Sequence, residues 1–305
     1  MAVLCGFPAN LFKRQPFLTA AAAIVASAIL LGSASSQTPQ EYWAHCKDVA
    51  SDLSIDGCTA LIQSGEKNKS LLGAAFSYRG IGYARKGEYH QAIRDYDQAI
   101  QLVPDFALVF NNRGNAHCRL DEPDLAIQDY SRAIILKPDY AMAFNNRGIA
   151  YENKREHDRA IRDFIQAIRL NPDFPEAFNN RGVAHEDMGE YESAIQDFDQ
   201  AITLKPDNAE AFNNRGIAYN DKGEHSRAIE DFDQAIRLRP RHPQAFNNRG
   251  TAYFAEHEYD RAIQDYDEAI RLKPDYADAL RNRADAYGAK ASKTAISKIS
   301  STPSH

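Results

Sequence analysis

The chain has 305 residues, 44% apolar and 26% charged, which suffices for a packed core and excludes wholesale disorder. Its formal net charge of −6, with no basic block, excludes the clustered Lys and Arg that nucleic-acid phosphates reward. The length allows two ordinary domains or one elongated domain built from repeats.

Residues 1–36 read as an export signal. Lys13-Arg14 is the positive region, Phe17 to Leu31 the apolar stretch, and Gly32 to Ser36 supply the small residues a signal peptidase needs. A cut after Ala34 or Ser36 would place the mature protein in the periplasm or outside the cell. The apolar run is shorter than the ~20 residues that span a bilayer, so membrane association is expected only if the signal is retained.

Residues 37–72 are expected to form an N-terminal cap, with short helices over Glu41–Asp48 and Leu53–Ser64. Cys5 leaves with the signal, and in an oxidising compartment the closely spaced Cys46 and Cys58 are natural disulfide partners. Cys118 is then the odd thiol. Zinc needs four ligands and only His45 lies near the pair, so no metal site is expected.

From residue 73 one pattern dominates. Arg-Gly recurs 34 residues apart at Arg79, Arg113, Arg147, Arg181, Arg215 and Arg249, and Arg283-Ala284 continues the series. In Ala209 to His242, Phe212, Gly216 and Tyr219 fall at helical spacing, Gly223-Glu224 breaks the helix, and Ala228, Phe232 and Ala235 mark a second helix that stops before Pro240. Neither helix can bury its apolar face alone, so the hairpins must stack.

An aromatic, Gly, Tyr, Ala, aromatic, Ala and Pro in this register resemble the tetratricopeptide repeat. The resemblance covers six repeats, 73–106, 107–140, 141–174, 175–208, 209–242 and 243–276. It implies an all-α, right-handed superhelical solenoid. Gly57 to Gly65 is similar to the lead-in of exported bacterial repeat proteins. Residues 277–290 repeat only the first helix and are expected to cap the stack; residues 291–305 are expected to be a flexible tail. Arg stands where the family usually has Leu. Its stem is expected to pack between helices while its guanidinium reaches Asp95, Asp129, Asp163, Asp197, Asp231 or Asp265, which recur in step.

No nucleophile elbow, phosphate loop or paired metal motif is present. His117 and His185 take the place of Tyr in other copies, as do His157 and His225 at a second position, and each reads as a smaller aromatic rather than as a base. No catalysis and no cofactor are expected.

Asn-Asn recurs inside the first helices, where Asn is an indifferent helix former, so something must offset its cost. Asn112, Asn146, Asn180, Asn214, Asn248 and Asn282 match the ladder by which some family members grip an extended peptide backbone, since an amide offers both donor and acceptor. The alternative is that they bond between adjacent repeats. Leu108, Met142, Ile81, Arg85 and Arg119 make the early inner face apolar to basic. Glu152, Glu176, Glu186, Asp187, Glu210 and Asp221 make the later face acidic, which favours a partner with Lys or Arg there. The expected function is a scaffold that binds a protein or extended peptide outside the cytoplasm. A self-assembling element, forming a homo-oligomer through repeat ends, and an accessory factor for a cell-envelope enzyme are the alternatives.

Overall fold

The computed structural model describes residues 39–48 and 53–300. The expected signal segment, 1–36, lies outside the described residues. Among those described there are 15 helices and no strand. The first eight are α1 (Pro39–Cys46), α2 (Leu53–Gln63), α3 (Lys69–Arg85), α4 (Tyr89–Leu102), α5 (Ala107–Arg119), α6 (Pro123–Leu136), α7 (Ala141–Asn153) and α8 (His157–Leu170). They belong to a compact unit ending at Leu170. A second unit begins at Asn171 and holds α9 (Pro175–Asp187), α10 (Tyr191–Leu204), α11 (Ala209–Asp221), α12 (His225–Leu238), α13 (Pro243–Ala255), α14 (Tyr259–Leu272) and α15 (Ala277–Ser300). Within each unit consecutive helices pack pairwise, an all-α stack of tetratricopeptide-type hairpins. No described helix is long and apolar enough to cross a membrane.

The hairpin follows from one close approach. A Cβ built on Gly216 would sit 2.7 Å from Cε1 of Phe232, so the first helix must carry hydrogen where the second carries its ring. Ala228, Phe232 and Ala235 are then wholly buried, and burying such a ring contributes about 1.5–3 kcal/mol. The turn closes through Glu224 N–H to the Tyr219 carbonyl at 2.8 Å, with Gly223 at φ +84°. In three other turns the left-handed residue is not glycine: Asp121, Arg155 and His257 hold φ of 60°, 58° and 60°. The second helices stop short of Pro104, Pro138, Pro206, Pro240 and Pro274, as the restriction on residues before proline requires.

The repeating arginine links neighbouring hairpins. Arg215 grips Asp231 with Nε at 2.8 Å and Nη2 at 2.6 Å, and its Nη1 reaches back to Asp199 of the preceding repeat at 2.5 Å. Arg249 does the same with Asp265 and Asp233, and Arg113 with Asp129 and Asp97. Arg79, Arg147 and Arg181 hold Asp95, Asp163 and Asp197 bidentately; the third reach of Arg79 goes to Thr59 and that of Arg147 to Ser131. A planar fork suits two acceptors in fixed geometry, and a lysine could not do this.

The ends depart from expectation. α1 begins at Pro39 and stops at Cys46, earlier than the span Glu41–Asp48, where the chain tightens into a turn with Asp48 N–H on the His45 carbonyl at 3.2 Å. α1 lies on α2 at Gly57, where a Cβ would meet His45 Cβ at 2.6 Å. Cys46 and Cys58 are fully buried there, with sulfurs 2.04 Å apart, a disulfide distance. Cys118, expected to be the odd thiol, is not free, since no described cysteine is a free thiol. α15 runs on to Ser300, past the expected cap 277–290 and into the segment read as a flexible tail. Nothing between Ala289 and Ser300 breaks a helix, and Lys293 Nζ bonds the His257 carbonyl at 3.3 Å.

Candidate functional site

The second asparagine of each pair is placed to meet the preceding repeat. Asn282 Nδ2 donates to Asn247 Oδ1 at 3.0 Å, Asn247 to Asn248 Oδ1 at 3.4 Å, and Asn248 to Asn213 Oδ1 at 3.1 Å. Asn213 then donates to Asn214 Oδ1 at 3.4 Å, and Asn214 to Asn179 Oδ1 at 3.1 Å. The six amides form one directional relay through the first helices of the second unit. In the first unit Asn145 donates to Asn146, whose Nδ2 divides between Asn111 Oδ1 and Asn115 Oδ1, each at 3.1 Å. At Asn112 no such bridge forms, because Ser77 and Tyr78 stand where later repeats carry two asparagines. Asn112, Asn146, Asn180 and Asn214 are buried, and Asn248 and Asn282 half-buried. Bonds between adjacent repeats are thus formed at Asn146, Asn214, Asn248 and Asn282. Where one N–H and one lone pair of an amide serve the relay, one of each is left to offer elsewhere.

The acidic residues share a face. Glu176, Asn180 and Asp187 lie on one side of α9, and Glu210, Asn214 and Asp221 on the same side of α11. Asp187, Glu210 and Asp221 are exposed and Glu176 is half-buried. Glu176 is 3.6 Å from Lys205. Glu210 is 3.6 Å from Nε2 of His242, a buried side chain whose Nδ1 accepts from the Ala245 N–H at 3.0 Å and so leaves the proton on Nε2. That bond, outweighing burial, holds Glu210 below the ordinary carboxylate range. Asp221 forms no ion pair among the described residues. Burial raises the Asp221 carboxyl. Burial first, then the Asp187 and Asp221 charges, push Glu186 up to about 7. A cationic group brought to this end of α11 would meet the Asp221 charge, which no ion pair compensates among the described residues.

The histidines are more than small aromatics. In three repeats whose first helix carries Tyr near its end, an arginine eight residues later stacks on the ring and reaches its hydroxyl: Arg159 lies 4.1 Å over Tyr151, Arg227 4.0 Å over Tyr219, and Arg261 3.9 Å over Tyr253. Each of these arginines also pairs with the glutamate that opens its helix: Glu156, Glu224 or Glu258. Where Leu125 or Ser193 replaces the arginine, His117 or His185 replaces the tyrosine and takes over the glutamate, with Nδ1 to Glu122 and Glu190 at 2.7 Å each. The same carboxylate draws its partner from one helix or the other. This paired exchange is visible in the repeats once residues eight apart are compared.

Models of the tetratricopeptide repeat match residues 107–140, 141–174, 164–196, 213–277 and 247–290, and a model of the TPR repeat matches 82–121 and 187–223. No curated protein matches the chain. A solved tetratricopeptide-repeat protein from Parabacteroides merdae is similar at 20% identity and a TM-score of 0.65, over 83% of this chain and 100% of that one. A chain of the APC/C hetero-tetramer Cut9-Hcn1 aligns at 20% identity and a TM-score of 0.64, over 77% of this chain but only 48% of its own length. YrrB, described as a TPR protein with an unusual peptide-binding site, aligns at 24% identity and a TM-score of 0.50, over 62% of this chain and 97% of that one. At these identities the likeness is one of fold. With models of the same repeat matching in near-continuous succession from residue 82 to 290, the chain belongs to the tetratricopeptide-repeat family.

Proposed function

We propose that this protein is a non-catalytic scaffold that binds an extended, basic peptide segment of another protein on the first-helix face of its second unit. The observation that carries the reading is the row of carboxylates on one side of α9 and α11, of which Asp187, Glu210 and Asp221 are exposed and Asp221 forms no ion pair among the described residues. Packed helices lie ~8–10 Å apart and an extended chain advances ~3.3–3.6 Å per residue, so a partner would present Lys or Arg at about every third position. The spare N–H and lone pair on Asn214 and Asn248 can engage the partner's backbone between those charges. The family's common use as an interaction module supports the reading at the level of fold only.

The experiment is a set of fluorescent peptides that differ only in lysine spacing, titrated against the full chain. Peptides with lysines three apart should bind best, lose affinity with salt, and bind weakly to a Glu176, Asp187 and Glu210 charge-reversal variant. Equal binding of all spacings would defeat the proposal. The setting is proposed to be periplasmic or secreted, supported by the order of charged, apolar and small residues in 1–36 and by the disulfide distance between Cys46 and Cys58. N-terminal sequencing and non-reducing peptide mapping of protein from its host test that part separately.

A further inference from the structure

α15 repeats a first helix, and among the described residues no second helix follows it. One side of it is filled: Ala279 and Ala286 are wholly buried where α15 packs on α13 and α14. The opposite side is bare. Leu280 stands in register with Phe246, Ala284 with Gly250 and Tyr287 with Tyr253. In α13 the last of these is 5% exposed beneath α14, whereas Tyr287 is 52% and Leu280 40% exposed. Terminal units of repeat stacks ordinarily carry a polar outer face. This one keeps the residue types that a second helix covers.

Arg283 says what chemistry is missing. Each of the six earlier arginines grips an aspartate of its own repeat with Nε and Nη2, as Arg249 does with Asp265 at 2.8 and 2.7 Å. Arg283 keeps only the backward reach, Nη1 to Asp267 at 2.6 Å. Its Nε and Nη2 edge, the side that elsewhere binds two carboxylate oxygens, has no described acceptor. Where α13 ends at Ala255 and the chain turns to form α14, α15 passes Ala289 without turning and continues to Ser300. As far as Ser300 the chain does not fold back over this face.

We propose that the bare side of α15 docks an amphipathic helix of a partner protein that carries an aspartate followed directly by an aromatic residue, with alanines three residues on either side. That pattern is the one by which this chain completes its own hairpins, as in Ala262, Asp265, Tyr266 and Ala269. The aspartate closes the fork of Arg283, the ring covers Ala284, and the alanines admit Leu280 and Tyr287. A second folded copy does not offer such a helix, because each of its six segments of this kind already has its aspartate gripped and its ring buried within its own hairpin.

The probe is a labelled peptide with the sequence of α14, Tyr259–Leu272, cross-linked between its solvent-facing positions 260 and 264 to offset the cost of helix nucleation. Titrated into the full chain, it should bind saturably. Asp265→Asn in the peptide and Arg283→Gln in the protein should each weaken binding about tenfold, with little further loss when combined, because both remove the same bond. Leu280→Ser with Tyr287→Ser should abolish binding. Absence of binding, or binding indifferent to Arg283→Gln, overturns the proposal, the latter because it would mean that the peptide invades an internal hairpin. Concentration-dependent dimerisation of the free chain that Arg283→Gln removes also overturns it, by giving the face to a second copy.

Discussion

The Tyr130 hydroxyl donates to Asn115 Oδ1 at 2.8 Å, and one repeat earlier the buried hydroxyl of Tyr96 has no partner because Ile81 stands where Asn115 does. Tyr266 finds Thr251 in the same place at 3.4 Å. Phe164, Phe198 and Phe232 face Ile149, Val183 and Ile217 at those positions and need no acceptor. Tyr96→Phe should therefore stabilise the fold by about 1 kcal/mol, since a buried hydroxyl without a bond costs its desolvation. Tyr130→Phe should destabilise it by a similar amount. Urea midpoints of the two variants, moving in opposite directions, check this.

The turn residues give a second pair of opposed outcomes. Arg155 and His257 occupy the left-handed region that Gly223 fills elsewhere, at a cost of roughly 1–2 kcal/mol for a residue with a side chain. Replacing either by Gly should raise stability by about 0.5–1 kcal/mol after the added chain entropy of glycine is deducted. Gly223→Ala should lower it, even though nothing lies within 4 Å of the added methyl, because the strain is in the backbone. Thermal melts of the three variants suffice.

Asn214→Ala separates bridging from ligand contact. It leaves Asn213, 1% exposed, without its acceptor and Asn179 without its donor. Lost bonds to buried amides cost about 1–3 kcal/mol, against roughly half a kcal/mol returned by the helix preference of alanine. The melting temperature should fall. Lys-peptide affinity measured well below that temperature reports whether Asn214 also touches the partner, as proposed.

Glu186 gives binding a pH dependence. With its carboxyl raised to about 7, the native state holds a proton that the unfolded chain releases near pH 4.3. Its contribution to stability is thus complete below about pH 4 and is lost as pH rises through about 7. A lysine placed beside it favours the ionised form. Affinity for a basic peptide should climb between about pH 6 and 8, with proton release on binding, and Glu186→Gln should flatten the profile. Calorimetry in buffers of different ionisation enthalpy measures the released proton directly.

The hairpin was legible in the chain because its determinants recur at one fixed step: Gly216 against Phe232, Arg215 against Asp231. Contacts that cross between repeats were harder to read. The asparagine relay runs at a step one residue longer than the repeat, from Asn214 to Asn179, so no alignment of equivalent positions brings the partners together. The histidines illustrate a different loss. Taken alone, His117 resembles a shrunken tyrosine; its meaning lies in Leu125, which removes the arginine that would have neutralised Glu122. The continuation of α15 was missed because the absence of a breaker after Ala289 is weaker evidence than the presence of one.

Every donor in the relay from Asn282 to Asn179 points the same way along the stack. Turning over one amide in its middle would set nitrogen against nitrogen on one side and oxygen against oxygen on the other. Reversing all of them together would restore every bond. The orientation of these side chains is thus a property of the row and not of any member, held in common across four helices as spins are in an ordered line. A group that met Asn214 and forced it to turn would be felt at Asn247, a repeat away, without any shift of the backbone between them.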